Sequence, residues 1–98
     1  IMHKISFTKE ALFDIELVVL WYEEQRIGLS YDFELCLEAG LAEISRNPEN
    51  FQKRYKSVHV RFIPRFPYGI HYIVKENTIV VIAVFHTSLS PKNWTKRI

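Results

Sequence analysis

Twelve residues in the second half of this 98-residue chain are basic or aromatic and could handle an anionic substrate: Lys53, Arg54, Lys56, Arg61, Arg65, Tyr68, His71, His86, Lys92, Trp94, Lys96 and Arg97. Arginine and lysine neutralise phosphates, and aromatic rings stack on bases. Cleavage of RNA without a metal needs three functions. One group removes the 2′-hydroxyl proton, one stabilises the crowded phosphate, and one protonates the leaving oxygen. Lys, Arg, Tyr and His can fill these roles once burial and neighbouring charges shift their pKa values. The same residue types also do structural work: Tyr68 and Trp94 could equally be core anchors, and the cations a solvated face.

Charge is divided along the chain. Residues 1–50 carry four cations against ten acids, a net of −6, and residues 51–98 carry nine cations against Glu76 alone, a net of +8. Such asymmetry points to a polyanionic partner for the basic half, either nucleic acid or an acidic protein segment.

Other chemistries are excluded by what is missing. The only glycines are Gly28, Gly40 and Gly69, so there is no glycine-rich phosphate loop, and no Gly-x-Ser-x-Gly elbow occurs. His3, His59, His71 and His86 lack the i, i+4 spacing of a helical metal pair. His59 and His71 could meet only across a hairpin. A single cysteine, Cys36, rules out a disulfide framework and a cysteine-based zinc site, and is expected to be a buried, inert thiol. No metal and no cofactor are expected. The longest unbroken apolar run is Ile79–Phe85, seven residues, against the roughly 20 that a membrane helix needs. The first residues turn polar at once, so no signal peptide is read, and a cytoplasmic location is expected. Ile1 ahead of Met2 is expected to be a vector remnant.

The elements that must position these residues follow from periodicity. Ninety-eight residues with 48% hydrophobic and 24% charged content make one domain, residues 1–98. His3–Phe7 alternates as a short strand. Thr8 stands where a helix N-cap belongs. Ala11, Ile15, Val18, Val19 and Tyr22 form one helical stripe, which Gly28 is expected to close as a C-cap. Phe33, Leu37, Leu41 and Ile44 form a second stripe, ended by Asn47-Pro48. The period then changes to two through Val58, Val60 and Phe62, through Ile70, Tyr72 and Val74, and into the apolar run Thr78–Phe85, which suits a central strand. The expected fold is α+β in the order β-α-α-β-β-β, a twisted antiparallel sheet with an N-terminal helix hairpin packed on one face.

Many of these positions together resemble the RelE/ParE superfamily of bacterial type II toxins, nearly end to end. The resemblance is carried by Ala11, Asp14, Ile15, Trp21-Tyr22-Glu23, Gly28-Leu29, Phe33 and Asn47-Pro48. It continues through Val60-Arg61, Arg65-Phe66-Pro67-Tyr68-Gly69-Ile70-His71-Tyr72 and Val84-Phe85-His86, then Pro91, Trp94 and Arg97. It implies a growth-inhibiting toxin made beside a cognate antitoxin, as in plasmid stabilisation systems. Within the superfamily, ParE-type members poison DNA gyrase, and RelE-type members cleave mRNA on the ribosome without metal. RelE-type ribonucleases carry arginine directly after the tyrosine of the third strand, where this chain has Gly69. Close relatives read His-x-x-Arg after the last strand, where this chain has Leu89. Both departures favour the ParE-like reading. A RelE-like metal-independent mRNA interferase is the alternative, and a degenerate toxin acting only as antitoxin binder or co-repressor is the second alternative. The candidate catalytic residues are Arg61, Arg65, Tyr68 and His86. Arg61, Arg65, Trp94, Lys96 and Arg97 are the candidates for antitoxin or target binding. The antitoxin is expected to cover these and to pack along the helix hairpin. Operator DNA would be met only indirectly, through the antitoxin complex, and no membrane partner is expected.

Overall fold

Thr8 decides where the first strand stops. In the computed structural model, which describes residues 3–98, strand β1 (Lys4–Phe7) runs directly into helix α1 (Lys9–Gln25). The extended Thr8 caps that helix by accepting from Ala11 N–H at 3.1 Å. Ile1 and Met2 lie outside the described residues. Helix α1 ends at Gln25, two residues earlier than a Gly28 cap would put it. Gly28, at φ 90°, instead turns the link and precedes α2 (Leu29–Arg46). The left-handed backbone is what requires glycine there. The link is held by Glu23, whose carboxylate accepts from Ser30 Oγ at 2.6 Å and Gly28 N–H at 3.2 Å. Those hydrogen bonds, that from Ser30 first, hold the Glu23 carboxyl below its ordinary range.

Asn47-Pro48 ends α2 as expected. A 3₁₀ turn (Pro48–Asn50) leads to β2 (Lys53–Tyr55), a strand the sequence pattern did not show. Its three residues are polar or half-buried and carry no alternation. A two-residue turn with Lys56 at φ 46° folds it against β3 (Val58–Phe62). β4 (Tyr68–Lys75) and β5 (Thr78–His86) complete the meander, and a 3₁₀ segment (Pro91–Arg97) forms the tail. No helix among the described residues is long and apolar enough to cross a membrane.

The sheet has five strands in the order β1-β5-β4-β3-β2, and it is mixed rather than wholly antiparallel: β1 pairs parallel to β5. The reason is the hairpin. A helical crossover carries the chain from β1 to the far edge of the sheet, and the meander walks back until β5 lies beside β1 with the same direction. β5 is therefore an interior strand, one in from the edge, and Ile79, Val81 and Ala83 are fully buried. The hairpin covers one face. Ala11, Val18 and Tyr22 of α1 and Phe33, Leu37 and Ile44 of α2 pack with Ile70, Tyr72, Ile79, Val81 and Val84. A bulge opposite His71 and Tyr72 inserts Ile82, so Ile82 and Ala83 both join a smaller cluster with Val58, Tyr55, Ile73 and Phe85. Strand alternation puts that cluster on the opposite face, where the tail lies.

β1 pairs only as far as Val81, so the edge of β5 beyond it is uncovered. Side chains complete it. Thr8 Oγ1 donates to Ile82 O at 3.4 Å, Val84 N–H donates to Asp14 Oδ2 at 3.0 Å, and Arg97 Nη1 donates to Ile82 O at 3.0 Å. Arg97 also grips Asp14 through both nitrogens, at 2.8 and 3.0 Å. Asp14→Ala removes an acceptor from a strand N–H and strands a half-buried guanidinium, and is expected to cost about 2–3 kcal/mol in denaturant unfolding. Asp14→Asn, which keeps an oxygen for Val84, is expected to cost less.

Candidate functional site

The tyrosine and histidine suggested by the sequence meet. Tyr68 opens β4 and His86 closes β5, and the register sets them directly opposite each other. Their rings lie 5.1 Å apart, edge to face. Tyr68 is half-buried against Tyr22 and Phe33, and burial raises its phenol above the ordinary value. It is therefore a neutral hydroxyl at physiological pH. His86 is exposed, and its Nδ1 takes hydrogen bonds from the Ser88 N–H at 3.0 Å and the Ser88 hydroxyl at 2.7 Å. A backbone N–H can only donate, so Nδ1 accepts and the neutral ring carries its proton on Nε2. The corner thus offers the Tyr68 hydroxyl and the His86 Nε2 from adjacent rings, suited to an anionic oxygen.

Neither arginine is part of that hydrogen-bonded arrangement. Arg61 turns toward the hairpin. Its Nη2 pairs with Glu43 Oε1 at 2.8 Å, its Nη1 donates to Phe62 O, and its guanidinium lies 5.2 Å from the Phe51 ring. Its Nε is buried without a partner. Arg65 is exposed in the turn between β3 and β4 at φ 74°. That turn is closed by Ile63 N–H to Tyr68 O and Tyr68 N–H to Phe66 O, both 2.8 Å.

Gly69 has a packing role. An added Cβ would stand 3.0 Å from Val60 Cγ1 and 3.3 Å from Phe62 Cδ1. The Phe62 ring leans over the glycine it pairs with, and Arg54 stacks on that ring at 5.4 Å. A side chain at position 69 requires Val60 and the Phe62 ring to give by a few tenths of an ångström.

On the tail face, Trp94 packs edge-on against His71 at 4.9 Å and tilts against Tyr55 at 5.4 Å. Phe85 closes the other side of His71 at 5.0 Å. The Tyr55 hydroxyl and His71 Nδ1 share a hydrogen bond of 3.0 Å, and Trp94 Nε1 is buried without a partner. Burial pushes His71 down to about 4 and Tyr55 up to about 12. Arg97 is committed to Asp14, whose hydrogen bond raises it, while Lys96 and Lys92 are exposed. His59 does not meet His71. It stacks on Tyr72 at 5.0 Å on the hairpin side and bonds Phe51 O through Nδ1 at 2.6 Å. Cys36 is half-buried and packs against the core. Among the described residues no three His, Cys, Asp or Glu side chains converge to hold a metal ion.

Asp14, Glu43 and Tyr55 are the organising residues that sequence reasoning missed as site residues. The available signal was the placement of Asp14 beside an apolar stripe and of Arg97 in an otherwise polar tail, a charge pair separated by 83 positions.

Comparison with known proteins places this geometry. Residues 5–90 match the family model described as the ParE toxin of the type II toxin–antitoxin system parDE. A structure from the chromosomal ParDE toxin–antitoxin system of P. aeruginosa superposes with a TM-score of 0.76 at 12% identity, over 87% of this chain and 96% of that one. A double mutant of the E. coli toxin RelE in the free state superposes with a TM-score of 0.69 at 19% identity, over 100% and 99%. The RelBE2 toxin–antitoxin complex of Mycobacterium tuberculosis gives 0.59 at 17% identity, over 88% and 99%. No curated protein matches the chain.

His71 yields a pH prediction. Its folded value lies below the ordinary 6.5, so the unfolded chain takes up the proton first. Stability is complete above about pH 6.5 and falls as pH drops toward 4, by ~3 kcal/mol over that window. Denaturant unfolding at both ends of the window measures it. His71→Phe is expected to lose this component of the slope.

Proposed function

The chain belongs to the family of ParE toxins of type II toxin–antitoxin systems, and from that premise we propose that it arrests growth by binding DNA gyrase and is held inactive by a cognate antitoxin. The observation that carries the choice of target is the crowding over Gly69. A Cβ there would meet Val60 Cγ1 at 3.0 Å and Phe62 Cδ1 at 3.3 Å, so a side chain after Tyr68 requires both to give by a few tenths of an ångström. Arg61, the other cation suggested for a phosphate, is engaged by Glu43. What is left at the corner is the Tyr68 hydroxyl and the His86 ring. They can hold an anionic group, but neither arginine is hydrogen-bonded there to add the fixed positive charge that a crowded phosphate needs. A protein-binding poison needs only a surface.

The ribonuclease reading keeps one favourable feature. The His86 ring packs against the Tyr68 ring with Nδ1 tied to Ser88, which leaves Nε2 as the nitrogen that could protonate a leaving oxygen. A toxin–antitoxin partnership is favoured by the family and by the fold shared with chains from ParDE and RelBE2 systems. The exposed cations Arg65, Lys92 and Lys96 suit an acidic segment that orders on binding.

Induction of the chain without an antitoxin, with transcript 5′ ends mapped and purified protein added to a gyrase supercoiling assay, separates the readings. Growth arrest with intact transcripts and inhibited supercoiling is expected. New 5′ ends at reproducible in-frame positions would replace this reading with the ribonuclease one. For the antitoxin surface, Arg65→Glu with Lys96→Glu is expected to weaken antitoxin binding about tenfold or more and to reduce its salt dependence. Arg61→Glu is a poorer probe, because it breaks the internal pair with Glu43. Unchanged affinity in a titration of the double variant would remove the proposed surface.

A further inference from the structure

The charges of this molecule are sorted by face. Of eleven acids, five lie on α1 and four on α2, the helices that cover one face of the sheet. The opposite face carries the tail, and its rim is basic. Lys53 and Arg54 lie on β2, Lys56 in the turn that follows, and Lys92 in the tail. All four are exposed. The ion pairs among the described residues engage Arg26, His59, Arg61 and Arg97, and none of these four cations.

Two contacts bring the four together. Tyr55, flanked in the chain by Arg54 and Lys56, packs at 5.4 Å against Trp94, two residues beyond Lys92. Arg54 lies over the Phe62 ring at 5.4 Å. Val58, Val60 and Phe62 alternate onto one face of β3, and Val58 belongs to the cluster under the tail. Phe62 is 41% exposed, so its ring holds the Arg54 guanidinium at the surface of that face rather than burying it. Lysine on an edge strand also deters pairing with other chains. That role does not account for Arg54 turned onto the face or for Lys92 on the tail.

The neighbouring rings narrow the partner. Tyr55, His71, Phe85 and Trp94 pack on one another, and Phe62 is covered by Arg54. Rings engaged in this way are not set out to stack on unpaired bases, which is how single strands are held. Acidic protein segments draw much of their affinity from apolar anchors. What this rim offers is spread positive charge on long side chains. A duplex presents one phosphate charge about every 1.7 Å of its axis, and spread charge holds that backbone without reading sequence.

We propose that the β2 edge and the tail, through Lys53, Arg54, Lys56 and Lys92, bind the phosphate backbone of double-stranded DNA. The contact is independent of base sequence and of the target that the chain poisons, and it leaves Arg65 and Lys96 to the antitoxin.

Fluorescence anisotropy of a short labelled duplex of mixed sequence, titrated with the full chain between about 50 and 200 mM salt, reads affinity and its salt slope. Four phosphate contacts predict a slope of log K against log salt of about −3.6. Lys53→Gln with Arg54→Gln is expected to weaken binding about tenfold or more at low salt and to reduce the slope by about 2. The control removes the same charge elsewhere: Lys4→Gln on β1, at the opposite edge of the sheet, with Lys9→Gln on α1. Both variants change only exposed side chains and are expected to stay folded by circular dichroism. The control is expected to keep the slope of the unsubstituted chain. No binding at about 50 mM salt overturns the proposal. Equal losses in the two variants do so too, because net charge alone then explains the binding. A single strand of the same sequence bound more than about tenfold tighter than the duplex overturns it in favour of base stacking. Poly-glutamate bound more tightly than the duplex reassigns the face to an acidic protein.

Discussion

The uncovered edge of β5 is the constraint on which the rest of the molecule depends. β5 has nine residues and its parallel neighbour β1 has four. An interior strand cannot leave its backbone groups unpaired beside a helix, because a buried N–H or C=O without a partner costs as much as a lost hydrogen bond. The chain supplies surrogates from three places. Thr8 ends β1, Asp14 lies one and a half turns into α1, and Arg97 comes from the tail. The Asp14 carboxylate stands where a neighbouring strand would offer a carbonyl, and the Arg97 guanidinium stands where it would offer an N–H. Because Arg97 also grips Asp14, hairpin, sheet and tail are fastened at one point.

That fastening sets the chemistry of the tail face. With Arg97 fixed, Trp94 lies over His71 and Tyr55, and the imidazole is sealed among Tyr55, Phe85 and Trp94. Desolvation then disfavours the charged ring, and the neighbouring Asp14 carboxylate offsets this only in part. His71 is a neutral core residue, whereas His86, at the end of β5, is open to solvent with its Nδ1 tied to Ser88.

How much of this was legible follows from the range of each signal. The two helices and β3 to β5 were legible because each buries a repeating face, and periods of 3.6 and 2 survive in the residue order. β2 was not, since three residues with an exposed, exposed, half-buried pattern carry no period. The parallel β1–β5 pair was not, since alternation reports which face is buried and not which way a neighbour runs. Gly28 was read as the end of α1, yet its left-handed backbone serves the link before α2. Tyr68 and His86 are separate candidates in the sequence, and it is the β4–β5 register that sets them opposite each other. Arg61 could not be placed, because the identity of a charged residue does not reveal that an acid eighteen positions earlier on α2 awaits it. Long-range ion pairs are written in no local pattern.

Gly69 shows how one residue can be read in two ways. In the sequence it marks a missing cation beside Tyr68. In the structure it is the floor under Phe62, and Val60 stands 3.0 Å from where a Cβ would begin. The two readings are the same fact. A strand position can hold a long cation for an anionic substrate or let a neighbouring aromatic ring close over the backbone, but the space above one Cα serves only one of these uses. Here the ring takes it, and Arg54 stacks on that ring. Among the cations of the basic half, Arg65 in the turn and Lys92 and Lys96 on the tail are exposed. Cleavage of a phosphodiester depends on charge concentrated within hydrogen-bond reach of one group, whereas recognition of a protein surface depends on charge spread over a face. Around Gly69 the ring closes over the backbone, and position 69 itself adds no charge to the corner.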